Sequence, residues 1–163
     1  MSNQTIEIFT DGSSLGNPGP GGYGIVMKYG EKQKQVSAGY RLTTNNRMEL
    51  MAVIQALKML NDVAKEKEIV IYSDSKYVIH AVEKKWVFGW VKKNFKDKAN
   101  ADLWRIFLRE YSKYNIKFHW IKGHSGQTEN EICDKLAKKA AVGKELMTDH
   151  GYESSKNKSN ELF

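Results

Sequence analysis

Thr5-Ile6-Glu7-Ile8-Phe9-Thr10-Asp11-Gly12-Ser13 decides how this chain folds. Side chains alternate between the two faces of a strand, so Ile6 and Ile8 point one way and Glu7, Phe9 and Asp11 the other. Gly12 then breaks the run. The stretch is a β-rich strand with a carboxylate at its carboxyl end, the place where ligands collect in α/β sheets. Taken alone, Asp11 is equally well explained as the start of an Asp-Gly turn. The choice rests on whether other acids reach the same strand mouth.

Three further segments carry candidates. Ile69-Val70-Ile71-Tyr72 reads as a buried strand and ends in Ser73-Asp74-Ser75, the opening pattern again. Asp74 or Ser73 is also a natural cap for a helix over Lys76–Val82. A helix read from Arg47 to about Asn61 is apolar nearly all round (Met48, Leu50, Met51, Ala52, Ile54, Leu57), which predicts a central, buried helix. Glu49 lies in its first turn, three residues after Asn46, at capping-box spacing. A last helix over about Gln127–Val142 has a buried stripe of Ile132, Cys133, Leu136, Ala137, Ala140 and Ala141. Asn130 and Asp134 share one edge of that stripe, while Glu131 projects to the far side and reads as a cap after Thr128. Independent caps account for each acid singly; they account less well for two strands ending in Asp together with acids on two buried helices.

Between these segments, Gly12–Gly24 holds six glycines and both prolines and reads as a loop. Gly19-x-Gly21-x-x-Gly24 formally matches the dinucleotide fingerprint, but a strand-like run, Ile25–Tyr29, follows where that motif must open a helix, so it is rejected. With Gln33–Leu42, the first three strands form an antiparallel meander. Asn61–Glu68 is a polar connection, Asp102–Tyr114 an amphipathic helix and Ile116–Ile121 a strand. His124 follows on the glycine-flanked segment Lys122-Gly123-His124-Ser125-Gly126, away from any apolar periodicity, where a histidine suits proton transfer. The pattern fades after Gly143, and residues 153–163 are expected to form a polar, disordered tail.

The 163 residues suggest one domain, and 40% hydrophobic residues supply a core. No apolar run approaches the roughly 18–20 residues that span a bilayer, and Met1–Gln4 is neither basic nor apolar, so no signal peptide and a cytoplasmic location are expected. Cys133 is the lone cysteine, which excludes an intrachain disulfide and most zinc templates. The formal charge of +7 favours a polyanionic partner. Its distribution is more telling: Glu83–Lys98 sets six lysines against two acids and interleaves four large aromatics, Trp86, Phe88, Trp90 and Phe95. Lysines meet phosphates as point charges and aromatics pack on sugars and bases, so nucleic acid is the expected partner of that segment.

The order β-β-β-α-β-α…α-β-α resembles that of the bacterial-type ribonuclease HI family. The resemblance is carried by Thr10-Asp11-Gly12-Ser13, Gly16-Asn17-Pro18-Gly19-Pro20-Gly21-Gly22-Tyr23-Gly24, Thr44-Asn45-Asn46-Arg47-Met48-Glu49, Ser73-Asp74-Ser75 and Trp120-Ile121-Lys122-Gly123-His124…Asn130…Cys133-Asp134. It implies an α/β, RNase H-like fold: a five-stranded mixed sheet, three antiparallel strands then two parallel, flanked by helices. The domain would span 1–152, with 83–98 as a basic protrusion. It further implies an endoribonuclease that hydrolyses the RNA strand of RNA–DNA hybrids with two Mg2+ ions (Mn2+ as a substitute), leaving 3′-hydroxyl and 5′-phosphate ends. Asp11, Glu49, Asp74 and Asp134 would be the metal ligands, and His124 would assist proton transfer. Asn17, Thr44, Asn45, Asn46, Lys76, Trp86, Trp90, Lys92, Lys93 and Lys96 would contact the hybrid, and Gly12 would leave room for its backbone. No membrane and no protein partner is implied, and the chain is expected to be a monomer. The competing reading is a non-catalytic hybrid- or double-strand-binding module on the same fold, which would be expected to lose one of the four acids.

Overall fold

The computed structural model describes residues 4–122 and 126–160, with side chains through residue 156. Strand β1, Ile6–Ser14, lies inside a six-stranded sheet. β2 (Gly19–Tyr29) and β3 (Lys32–Thr43) follow it as an antiparallel meander, while β4 (Glu68–Ser73) pairs with its other edge in parallel and β5 (Asn115–Trp120) pairs in parallel with β4. A two-residue strand β6, Leu146–Met147, adds to β3, giving the order β5-β4-β1-β2-β3-β6. The mixed sheet read from the sequence is thus present with a sixth strand beyond the five expected. Two residues are too short a run to display a period of two.

The alternation in β1 sorts the helices. Ile6 and Ile8 pack in the main core with α1 (Asn45–Lys58) and α4 (Ala101–Tyr111), whose Leu50, Ile54, Leu57, Trp104 and Phe107 are fully buried. Each such side chain contributes roughly 1.5–3 kcal/mol by leaving water. Phe9 faces the other way and packs with Val26 and Cys133 of α5, Thr128–Ala141. Two shorter helices, α2 (Lys76–Glu83) and α3 (Trp86–Lys92), lie between β4 and α4 in the chain. Among the described residues no helix is long and apolar enough to cross a membrane.

Two segments depart from the sequence reading. β1 continues through Gly12 to Ser14 and β2 begins at Gly19, both inside the stretch read as a loop. The glycines there are strand residues because α5 lies almost on the sheet: the backbone of Ala137 and of Cys133 occupies the space that a Cβ on Gly22 and on Gly24 would need. Composition alone cannot separate a glycine that turns a chain from one that admits a neighbour. The second departure is the C-terminal segment read as a tail, which is helical as α6, His150–Asn160. Asp149 accepts the Tyr152 N–H at 3.2 Å at its start, and Glu153 takes a two-pronged hydrogen bond from Arg41 at 2.9 and 2.8 Å. A partner 112 residues away leaves no local signature.

Candidate functional site

Because β1 and β4 are parallel neighbours, Asp11 and Asp74 emerge at the same edge of the sheet. Helix α1 begins over that edge. The Gly12 N–H donates to Glu49 Oε1 at 2.5 Å and to Asp11 Oδ1 at 3.0 Å, tying strand, helix and both acids together. A Cβ on Gly12 would collide with the backbone of Met48 and Glu49. The glycine therefore makes room for α1 rather than for a nucleic-acid backbone. One oxygen each from Asp11, Glu49 and Asp74 lies within 4.8 Å of the others.

The capping roles open to these acids are filled by neutral residues. The Thr44 hydroxyl accepts the Arg47 N–H (3.2 Å) at the start of α1, so Glu49 is not a cap. Ser75 caps α2 by accepting from Val78 N–H (3.3 Å), which leaves Asp74 without that role. Gln127 caps α5 by accepting from Asn130 N–H (2.6 Å). Glu131, read from the sequence as that cap, instead lines the acidic cleft, as its spacing of three from Asp134 on a helix allows.

Asp134 enters the same cleft from α5, beside Asn130 and Asn45. The cleft has a volume of about 330 Å³. Asp134 also pairs with Lys138 one turn on, at 3.0 Å. Asn130 is only 4% exposed, and its Oδ1 has no hydrogen-bond partner among the described residues. Sequence periodicity placed Asn130 beside Asp134 but gave no reason for its burial.

Crowding the acids perturbs their ionisation. Burial is the main cause that pushes Asp11 up to about 7, helped by the charges of Asp74 and Asp134 and opposed by a hydrogen bond with Glu49. Glu49 is raised well above the ordinary carboxylate range by burial first, then by Asp11 and Asp74. Carboxylates held together in this way favour either a proton or a cation among them. An all-oxygen donor set of this size suits a hard divalent cation such as Mg2+ or Ca2+ and not a soft one.

The start of α1 is pinned by a second polar cluster. Arg47 is buried and all five of its N–H donors are used: Nε and Nη2 on Asp149 (2.7 and 2.9 Å), Nη1 and Nη2 on Asp102 (2.9 and 2.7 Å), and Nη1 on Asn100 (3.2 Å). Thr43 Oγ1 adds a 2.7 Å bond to Asp149. Burial opposes ionisation of Asp102, but Arg47 outweighs it and holds that carboxyl below its ordinary value.

The residues read as substrate contacts form two groups. Asn17 and Asn45 are joined, Asn17 Oδ1 accepting the Asn45 N–H at 3.1 Å, and Asn17, Thr44 and Asn46 line a groove of about 960 Å³. Trp86, Trp90, Lys93 and Lys96 line a separate cavity of about 730 Å³ with Lys85 and Lys98. Lys98 Nζ lies 5.1 Å from the Trp90 ring centre, and Lys84 Nζ 5.1 Å from that of Trp86. Lys76 borders Trp86 and Trp90 in a smaller hollow. Lys92 is exposed on α3 outside that cavity, so it does not join Lys93 and Lys96 there. His124 lies outside the described residues.

The chain matches the family model for RNase H over residues 3–142. It is 49% identical over 153 residues to the ribonuclease H of Aeromonas salmonicida (strain A449), a match covering 91% of this chain and 97% of that protein. The ribonuclease HI of Pasteurella multocida (strain Pm70) is also 49% identical over 153 residues, with 91% and 96% covered. Among solved structures, LC9-RNase H1, described as a type 1 RNase H with the type 2 active-site motif, superposes with a TM-score of 0.78 at 28% identity, covering 95% of this chain and 82% of that one.

Proposed function

Because the chain belongs to the ribonuclease H family, we propose that it hydrolyses the RNA strand of RNA–DNA hybrids, with divalent metal held by Asp11, Glu49, Asp74 and Asp134. The observation that carries this reading is the meeting of three acid oxygens within 4.8 Å at the sheet edge, with Asp134 in the same cleft. A binding module has no use for acids that repel both each other and a phosphate backbone.

The four carboxylates would hold two Mg2+ ions, whose Lewis acidity would favour attack by water and departure of the 3′-oxygen, giving 3′-hydroxyl and 5′-phosphate ends. The chain's own residues do the rest. Gly12 N–H orients Glu49 and Asp11 so that both present oxygens to one point. Asn17, Thr44, Asn45 and Asn46 seat the duplex beside the acids, and Lys93 and Lys96 with Trp86 and Trp90 hold its backbone further out, reading shape and 2′-hydroxyls rather than sequence. His124, on the evidence of its sequence position, carries a proton to or from the reacting phosphate. We take the unit to be a cytoplasmic monomer with its catalytic domain over 1–152.

The test uses labelled RNA–DNA hybrid, double-stranded RNA and double-stranded DNA, each with and without Mg2+. The expected result is cleavage of the hybrid alone and only with metal, with Asp11→Asn binding hybrid but not cutting it. Equal cleavage of all three duplexes, or cutting by Asp11→Asn at the wild-type rate, would overturn the assignment.

A further inference from the structure

Helix α6 lies past residue 142, where the family match stops. The Aeromonas relative is 97% covered by an alignment that uses only 91% of this chain. Yet α6 is firmly attached: Asp149 is buried on Arg47 and Thr43, and Glu153 grips Arg41. Tyr152, Ser154 and Ser155 line the groove that Asn17, Thr44, Asn46 and the anchored Arg47 also line.

The chemistry of that groove points to one kind of occupant. Its lining supplies amides, hydroxyls and the Lys98 ammonium beside Ala99, Ala101 and the fully engaged Arg47 guanidinium. Its one acid, Asp102, already takes two hydrogen bonds from Arg47. Such a surface, rich in donors and with its carboxylate neutralised, suits phosphate oxygens and sugar hydroxyls. It is also placed along a continuous track. Asn45 lines the acidic cleft, Asn46 lines the groove, and Lys98 belongs both to the groove and to the Trp86–Trp90 cavity.

We propose that α6 is a nucleic-acid-binding wall, with Tyr152 and Ser154 contacting the sugar-phosphate backbone of the duplex as it passes from the acidic cleft towards the basic segment. This rests on the hybrid-nuclease reading above. The helix binds in the way other phosphate-positioning elements do: it adds affinity without adding sequence preference.

Opposite charges at one position test it. Ser154 is exposed, so Ser154→Lys and Ser154→Glu leave the anchors intact. Val63, 66% exposed on the short turn that precedes β4, provides charge-matched controls, Val63→Lys and Val63→Glu, at the amino end of that strand and away from the acids. Hybrid binding is measured in the cleavage-silent Asp11→Asn background, with thermal melting alongside. Ser154→Lys should tighten binding and Ser154→Glu weaken it, the pair differing roughly three- to tenfold in Kd at low salt and converging as salt rises. The Val63 pair should stay within about twofold of its parent, as expected for screened, distant charges. A Ser154 pair that behaves like the Val63 pair overturns the role of α6 while leaving the nuclease reading in place. Failure of the Ser154-unmodified parent to bind hybrid at all would overturn the nuclease reading, and the role of α6 with it.

Discussion

Replacing Asp11 with Asn should make the metal-free protein more stable. Asp11 is 6% exposed and its carboxyl is pushed up from 3.8 to about 7, by burial and then by Asp74. Between those two values the folded state keeps a proton that the unfolded chain gives up. Stability therefore falls as pH rises from about 4 to 7, and the full penalty persists above 7. At 1.36 kcal/mol per pH unit, the gap sets a ceiling of about 4 kcal/mol. Water entering the cleft and relaxation of Asp74 reduce this, so a gain of about 2–4 kcal/mol is expected for Asp11→Asn at pH 8. Asn keeps an acceptor for the Gly12 N–H and adds no volume, so the comparison isolates charge. For a chain of this length the gain corresponds to a melting temperature higher by about 5–10 °C. The assay is thermal unfolding in EDTA at pH 8 and pH 3. The gain should vanish at pH 3, where both states are protonated. Mg2+ should then raise the melting point of the wild type more than that of the variant, since a cation relieves the same repulsion. An Asp11→Asn protein that melts no higher than wild type at pH 8 would refute the reasoning, and so would an equal gain at both pH values.

Two other outcomes follow from the same geometry. Asp149→Ala leaves the buried Arg47 guanidinium with Asp102 as its one remaining carboxylate and should cost about 3–5 kcal/mol in urea unfolding; a loss below about 1 kcal/mol would mean that Asp102 alone satisfies it. Lys93→Ala with Lys96→Ala should raise KM for hybrid and flatten its dependence on salt by about two phosphate contacts, and a KM unchanged at both low and high salt would remove the Trp86–Lys96 cavity from the binding surface.

The parts of this site that were legible in the sequence are those where local pattern and global position coincide. Asp11 and Asp74 follow apolar runs of the same character, and parallel pairing of β1 with β4 carries equal local patterns to the same edge. The apolar circumference of α1 announced a central helix, and its first turn could only lie near a strand end. Asp134 is a harder case. Its place on the border of a buried stripe was readable, but its reach to Asp11 depends on how closely α5 approaches the sheet. That approach is set by Gly22 and Gly24, which the same sequence presents as loop residues. The helical fate of residues 150–160 was hidden for a similar reason: what orders them is Arg41 and Arg47, more than 100 residues away. Glu49 was legible as an acid at a helix start, but the local pattern alone left a capping role open beside the ligand role, because a capping box and a carboxylate aimed at Gly12 N–H have the same local spelling.

The two polar clusters at the start of α1 explain each other. Glu49 is buried among carboxylates that repel it, which by itself would push the first turn of the helix away from β1. Two residues earlier, Arg47 fixes that turn from the opposite side with every donor it has, spanning Asp149 before α6 and Asp102 in α4. A buried arginine with no spare donor tolerates little displacement, because any shift strands an N–H without a partner. Gly12 closes the arrangement from the strand side, where its lack of a Cβ permits contact and its N–H rewards it. The repulsion that a divalent cation would relieve is therefore held in place by a network that does not touch the cation site. This is why the site's chemistry and the chain's stability can be perturbed separately, at Asp11 on one side of α1 and at Asp149 on the other.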